Sequence, residues 1–550
     1  MARRYFIPLI IIFFVAFSSS IFAQPRFAQV ERINSLIAET WNDYQIKPSP
    51  KATDAEWCRR LFLDLLGRIP TIEEVNQFVE SKDRVKHEQL VTDLLYGDEY
   101  TEEFARNWTT IWTNLLIGRT GGNGNNSMVS RAGMQKYLRD SFARGKPFDK
   151  FVYELVTATG RTTPGSEDFN GATNYLIDKV NDDKGSLATA TTSRMFLGLQ
   201  VQCTQCHDHP FNEWKQQKYW EMNAFFRQAR AFGGGRNRMD NAPAQLKDQD
   251  FNGEGRPRNP QKPPIFYELR NGEVRVAYPV FVDGTKIDPS GYVKVANRRQ
   301  ELAKLIINSE YFPKAIANRI WAHFLGYGFT SPVDDLGPHN PPTHPELLGF
   351  LGEEFRNSGF NLRDLISWIV LSKPYLLSSK LGKSNSSDAP LLGEAPKFSR
   401  FYLRQMRAEE LYESLLIAND VGFSDNYEEK ERLKNRWLQQ FSLAFGTDEG
   451  DETTTFNGTI PQVLMMFNGD LVERSTNGSK GSMLKQLSNS NLNFKGRIDH
   501  LFKAGLSRKP KRMEYSMAQQ FLQYNDGNMN QTLSDVWWVV LNSNEFIFNH

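Results

Sequence analysis

The stretch Arg59-Arg60-Leu61-Phe62-Leu63-Asp64-Leu65-Leu66-Gly67-Arg68-Ile69-Pro70-Thr71-Ile72-Glu73-Glu74 decides the fold class. Leu61, Phe62, Leu65 and Leu66 fall at i, i+1, i+4 and i+5, one apolar stripe of a helix. Gly67 and Pro70 end it. Thr71, followed three residues later by Glu74, reads as a capping box that opens the next helix, with Val75, Phe78 and Val79 on its buried side. The same period continues outward. Trp108 and Trp112 stand four apart within Phe104 to Leu116, an aromatic stripe of core type. Thr343-His344-Pro345-Glu346 reads as another capping box with Pro placed early, before a helix that buries Leu347, Leu348, Leu351 and Phe355. Leu365, Ile366, Ile369 and Val370 repeat the pattern between Leu362 and Leu371. Leu533 to Leu541, with Trp537 and Trp538, reads as a packed final helix.

The helical period stops after Arg230. Phe232 to Pro264 is rich in Gly, Asn, Arg, Asp and Pro, without periodicity, and reads as a linker or long loop. Ile265 to Leu269 and Val274 to Phe281 are β-prone runs around Asn271-Gly272, a hairpin signal, and Asp283-Gly284 offers a second turn. The expectation is a mainly α protein: two helical domains, 24–230 and 296–550, with a small β-hairpin or meander insertion within 231–295.

A chain of 550 residues with 40% hydrophobic content is long enough for more than one core. Its 66 basic and 64 acidic residues nearly cancel, and Arg508-Lys509-Pro510-Lys511-Arg512 is short enough to be a solvated turn. Nucleic acid is therefore not an expected partner. Residues 1–23 have the parts of a secretory signal: Arg3 and Arg4, an apolar run from Tyr5 to Phe17, and Ala23 as the cleavage residue. No second long apolar segment follows, so no membrane span is expected in the mature chain, which is placed in the periplasm or cell envelope. Three cysteines, Cys58, Cys203 and Cys206, are too few for a disulfide framework. The acidic pairs and clusters, Asp334-Asp335 and Asp448 to Glu452, read as solvated loops, since they lack calcium-loop spacing.

Two of the cysteines belong to Cys203-Thr204-Gln205-Cys206-His207, the spacing of a c-type haem attachment site. Two thiols add to the two haem vinyls, and the adjacent imidazole is delivered to the iron. Two alternatives use the same donors. Cys203 and Cys206 suit a redox disulfide, although no βαβ pattern flanks them. Cys203, Cys206, His207 and His209 suit a bare zinc or iron site, although all four lie within seven residues. For a sixth iron ligand the residues to consider are Met195 and Met222, both of core character, and His323, His339 and His344 from the second helical region. His344 is expected to face solvent in a first turn. His209 and Asp208 are expected in supporting roles, with Asp208 accepting from an imidazole N–H.

At these positions the chain resembles a known family. The run from Gly198 to Phe211, containing the motif, resembles the planctomycete cytochrome c-like domain, as does Arg60 to Thr71. Asn318 to Phe324, Pro332 to Pro342 and the ending Leu541 to His550 resemble the partner domain that follows it in that family. Both domains are of unknown function, so the resemblance implies the architecture, while the covalent haem on Cys203 and Cys206 with His207 at the iron is read from the motif itself. The expected function is an exported monohaem c-type cytochrome-like protein that exchanges electrons with a redox partner or envelope component. The alternative is a non-haem envelope binding or structural protein, polysaccharide-associated, whose Cys/His cluster holds zinc or iron. No catalytic residue is assigned.

Overall fold

The computed structural model describes residues 25–122, 127–209, 214–233, 244–255, 258–420, 429, 431–434, 437 and 483–550. The leader at 1–23, the end of the break at 121–126, Pro210-Phe211 and the acidic loop at 446–458 lie wholly or partly outside these residues. The chain is mainly α.

The opening stretch folds as read. Helix α2 (Asp54–Leu66, after α1 at Pro25–Asp43) starts at Thr53, whose hydroxyl accepts from the Glu56 N–H, and stops at Gly67 in the left-handed region, φ 73°. Gly is required there twice over, because a Cβ would sit 2.6 Å from Asn107 Oδ1. The Asn107 Nδ2 in turn caps α2 from outside, donating to the carbonyls of Asp64 and Leu65 at 3.2 and 3.0 Å. The capping box forms: α3 (Ile72–Glu80) has Thr71 Oγ1 accepting from Glu74 N, and Glu74 Oε2 accepting from Thr71 N. Val75 and Phe78 are buried, but Val79 is 40% exposed, because it falls on the far edge of a nine-residue helix.

Helices α4 (Lys86–Tyr96), α5 (Thr101–Ile117), α6 (Arg131–Ala143), α7 (Phe148–Thr157), α8 (Ser186–Leu197) and α9 (Gln216–Asn223) complete the N-terminal half. After the β segment come α10 (Arg298–Asn308), α11 (Tyr311–Leu325), α12 (Pro345–Asn357) and α13 (Leu362–Val370). One apolar core runs through both halves, from Ile33 to Tyr402. Trp108 of α5 packs on His323 and Phe324 of α11, with centroids 5.4 and 6.2 Å apart. The apolar faces read for α12 and α13 are buried as expected. The start of α12 differs. Pro345 occupies the first turn, but no side chain caps it, and Thr343 Oγ1 instead meets His344 Nδ1 at 2.9 Å. His344 does not face solvent: it is buried against Phe329 and Phe398.

The segment read as a linker contains structure. Strands β2 (Ala229–Phe232) and β3 (Gln245–Asp248) pair antiparallel, and β1 (Gly160–Arg161) adds to the other edge of β3. Four-residue strands carry too little pattern to register as periodic. The expected hairpin forms between β4 (Ile265–Glu268) and β5 (Val274–Ala277), with Gly272 at φ 83° in its turn.

A second core gathers after Met406 from α15 (Ala408–Ala418, following the short α14 at Lys373–Leu376), α16 (Met483–Ser488), α17 (Phe494–Leu506), α18 (Arg512–Tyr524), α19 (Met529–Leu541) and α20 (Asn544–Ile547), together with Leu63 and Ile69. In α19 Trp537 is fully buried and Trp538 is 38% exposed. No described helix is long and apolar enough to cross a membrane.

Buried charge stitches the two cores. Arg59 donates to the carbonyls of Gly505 and Phe546 at 2.7 and 2.9 Å, and Arg60 to those of Leu377 and His550 at 3.0 and 3.1 Å. Asp64 accepts from Tyr375 Oη at 2.7 Å, Asn549 Nδ2 at 2.8 Å and Arg404. Arg404 and Asn549 lie on the paired two-residue strands β6 (Arg404–Gln405) and β7 (Phe548–Asn549).

Candidate functional site at the domain junction

The motif lies beyond the C-terminus of α8, which Gly198 ends at φ 65°. Gln202–Gln205 form a single 3-10 turn, with Thr204 turned inward so that its hydroxyl donates to the Val201 carbonyl at 2.6 Å. That turn sets Cys203 and Cys206 outward; both are exposed and unlinked, whereas Cys58 is buried in the core. Burial pushes the Cys58 thiol up, out of reach of the thiolate form at neutral pH.

His207 follows at the surface. Its Nδ1 lies 2.6 Å from the Asp208 backbone oxygen. A carbonyl only accepts, so Nδ1 carries a proton, and in the neutral ring the free lone pair is then on Nε2. The expectation that the Asp208 carboxylate accepts from an imidazole N–H is not met. Instead Oδ1 accepts the Gln216 N–H at 2.9 Å and Oδ2 meets Lys215 at 3.1 Å, and these two contacts lower its pKa. Asp208 thereby anchors the loop to the start of α9. Two further side chains do the same: Gln216 Nε2 donates to the carbonyls of Gln205 and Glu268 at 3.1 and 3.0 Å, and Trp220 Nε1 to Gln205 at 3.2 Å. Trp220 stacks on Tyr267 of β4 at 6.0 Å.

The second half of the chain reaches the same loop. Leu336 N–H donates to the Gly198 carbonyl at 2.6 Å. A Cβ on Gly198 would lie 2.8 Å from Leu336 Cδ1. Gln200 Nε2 donates to Asp334 Oδ1 at 2.8 Å, and Arg194 and Arg319 lie 3.5 and 3.8 Å from Asp334 Oδ2. On the far side of the motif, the His209 backbone N–H donates to the Trp214 carbonyl at 2.8 Å, and the His209 ring lies 5.4 Å from that of His339. His339 Nε2 donates to Asp335 Oδ2 at 2.9 Å. Partial burial and the neighbouring His339 push the His209 imidazole below its ordinary value. Asp334 and Asp335 are thus not a solvated loop. Asp334 is 8% exposed, and both carboxylates are committed to partners, because the chain folds their turn against the motif.

Of the residues considered as a sixth ligand, His339 alone is shown beside the motif run, through His209. Met195 and Met222 are buried in the main core. His323 is half-buried, with its buried Nε2 lacking a hydrogen bond. Burial and the guanidinium groups of Arg407 and Arg404 push it down to about 3. Cys203, Cys206, His207 and His209 do not form a four-donor cage: among the described residues no group of three or more His, Cys, Asp or Glu side chains is placed to hold a metal ion. The donor set fits a covalently attached haem better, since that needs two free, accessible thiols and one imidazole with an available Nε2.

Residues 32–231 match the family described as PSCyt2, a protein of unknown function (DUF1549). Residues 298–430 match PSD1, likewise a protein of unknown function (DUF1553). The first contains the motif and the second contains Asp334, Asp335 and His339, so the junction is made between the two domains. No curated protein and no solved structure matches the chain.

Proposed function

We propose, for a chain that belongs to the group pairing the PSCyt2 and PSD1 domains in this order, that the Cys203–His207 loop is the attachment site of a c-type haem. Cys203 and Cys206 would hold it by thioether bonds and His207 Nε2 would meet the iron. The observation that carries the reading is the His207 hydrogen bond. With Nδ1–H fixed to the Asp208 carbonyl, the imidazole is held in the tautomer an iron ligand needs, by the kind of outer contact that orients metal-bound histidines. Asp208, Gln216 and Trp220 brace the loop that presents it.

A haem bound here supplies reversible one-electron chemistry. The exposed thiols put the attachment edge at the surface, which suits electron exchange with a docked redox protein over chemistry in an enclosed cleft. The apolar leader at residues 1–23 is consistent with export, and c-type attachment takes place outside the cytoplasm. We therefore assign an exported, monohaem, redox-associated role in the periplasm or envelope.

The test is expression in a host with haem-maturation machinery, followed by a visible spectrum of the denatured protein. Covalent haem that is lost in Cys203→Ala and Cys206→Ala is expected. A colourless wild-type protein, or one that retains zinc or iron without haem, would overturn the reading.

A further inference from the structure

We infer that the PSD1 domain supplies part of the haem site: Asp335 and His339, acting through His209, form a positioning unit that orients the motif and biases the iron toward its oxidised state. This rests on the haem reading above.

The geometry has three parts. First, the segment Asp334–His339 holds the motif on both sides. Upstream it binds Gly198 and Gln200 through the Leu336 N–H and Asp334; downstream His339 lies against His209. The intervening loop carries Cys203, Cys206 and His207, so its two ends cannot move apart without breaking contacts to the other domain.

Second, the contact is closely fitted. A Cβ on Gly198 would overlap Leu336, and a Cβ on Gly337 would lie 2.3 Å from His339 Cε1. Any side chain at either position would displace the segment or the ring. Glycine at both is what lets Asp335 hold His339 in place at 2.9 Å.

Third, the two carboxylates differ in their charge environment. Asp334 faces Arg194 and Arg319, while among the described residues Asp335 meets no Lys or Arg and has the His339 imidazole as its ionic partner. The Asp335 carboxylate, hydrogen-bonded to the His339 imidazole, is thereby held beside His209, two residues from the proposed iron ligand. A nearby negative charge stabilises ferric over ferrous iron, so the unit lowers the reduction potential. Packing between domains alone would hold the loop but would give this charge no effect on the iron.

The experiment uses the full chain matured with haem: wild type, Asp335→Asn, His339→Ala and, as a remote exposed control, Asp140→Asn. Covalent haem is read after denaturation, and midpoint potential and the ferric spectrum are read on the native proteins. The expected result is covalent haem in all four, a raised potential in Asp335→Asn, an altered ferric spectrum in His339→Ala, and no change in Asp140→Asn. Should His339→Ala fail to fold, Asp335→Asn decides, because it keeps the size and an acceptor oxygen. Haem present throughout, with wild-type potential and spectrum in both junction variants, overturns the positioning unit and leaves the attachment site standing. Absence of covalent haem in the wild type overturns the attachment site and this inference together.

Discussion

Asp64→Ala tests whether buried charge, and not apolar packing alone, joins the two cores. The Asp64 side chain is fully buried and accepts from Tyr375, Asn549 and Arg404. Alanine removes all three acceptor contacts at once. Arg404 keeps Glu410, at 2.8 and 3.0 Å, but the Asn549 amide and the Tyr375 hydroxyl lose the partners they have here. Removing one member of a buried pair costs about 3–5 kcal/mol, because the charge left behind stays desolvated. Asparagine keeps one acceptor, and the Tyr375 hydroxyl can turn to accept from the new amide, so Asp64→Asn is expected to cost about half as much. For 550 residues the unfolding entropy is about 1.2 kcal/mol/K, so Asp64→Ala should lower Tm by about 3–4 °C and Asp64→Asn by about 2 °C. Calorimetry gives both values, with Asp140→Ala as an exposed control. Hydrogen exchange should rise in residues 404–418 and 544–550 before it rises in α5. A Tm drop in Asp64→Ala no larger than in the control would refute the argument.

Three further outcomes follow from the same structure. In the second domain, burial holds His323 down to about 3 and His344 down to about 4, against about 6.5 unfolded. The unfolded chain therefore takes up protons first, and stability falls as pH drops below 6.5, by about 1.4 kcal/mol per pH unit for each histidine. In urea titrations between pH 7 and 4.5 His344→Gln should flatten that decline, and an unchanged slope would remove His344 from the account. Gly198→Ala should cost about 1–3 kcal/mol through left-handed strain and the Leu336 overlap, and a variant that melts with the wild type would show the junction to be loosely fitted. Thiol titration should find two reactive groups in native haem-free protein and three after denaturation, since Cys58 is buried; in haem-loaded protein the counts should be none and one.

The helical class was legible because its signals are local. Leu61, Phe62, Leu65 and Leu66 repeat within one turn and a half, and Thr71 and Glu74 meet three residues apart, so a short window contains the whole argument. The sheet of β1, β3 and β2 was not legible, because Arg161 pairs with Gln245 across more than eighty residues and each strand is four residues or fewer. His344 was misjudged for a related reason. A first-turn histidine faces solvent only if nothing packs on the helix start, and Phe398, far along the chain, does so. The motif could be read as a string, but the segment facing it could not. Asp334 and Asp335 look like any acidic turn until Gln200, Arg194 and His339 are in place around them.

The long-range contacts at both junctions share one physical feature that bears on function. Neither half of the chain has an independent interior: the main core runs from Ile33 to Tyr402, and Leu63 and Ile69 of the first domain belong to the second core. At the core seam, groups that are costly to bury, Arg59, Arg60, Asp64 and Arg404, form hydrogen bonds with residues on the other side. At the motif, Gly198 and Gln200 are satisfied in the same way by Leu336 and Asp334, and the His209 ring lies against that of His339. Burying a polar group without a partner costs a few kcal/mol, so separating the two domains at either place exposes apolar core and orphans several such groups together. The PSD1 domain is then not an appendage to the PSCyt2 domain. The contacts of Asp334–His339 with Gly198, Gln200 and His209 make the second domain part of what holds the motif loop, beside the bracing from Asp208, Gln216 and Trp220.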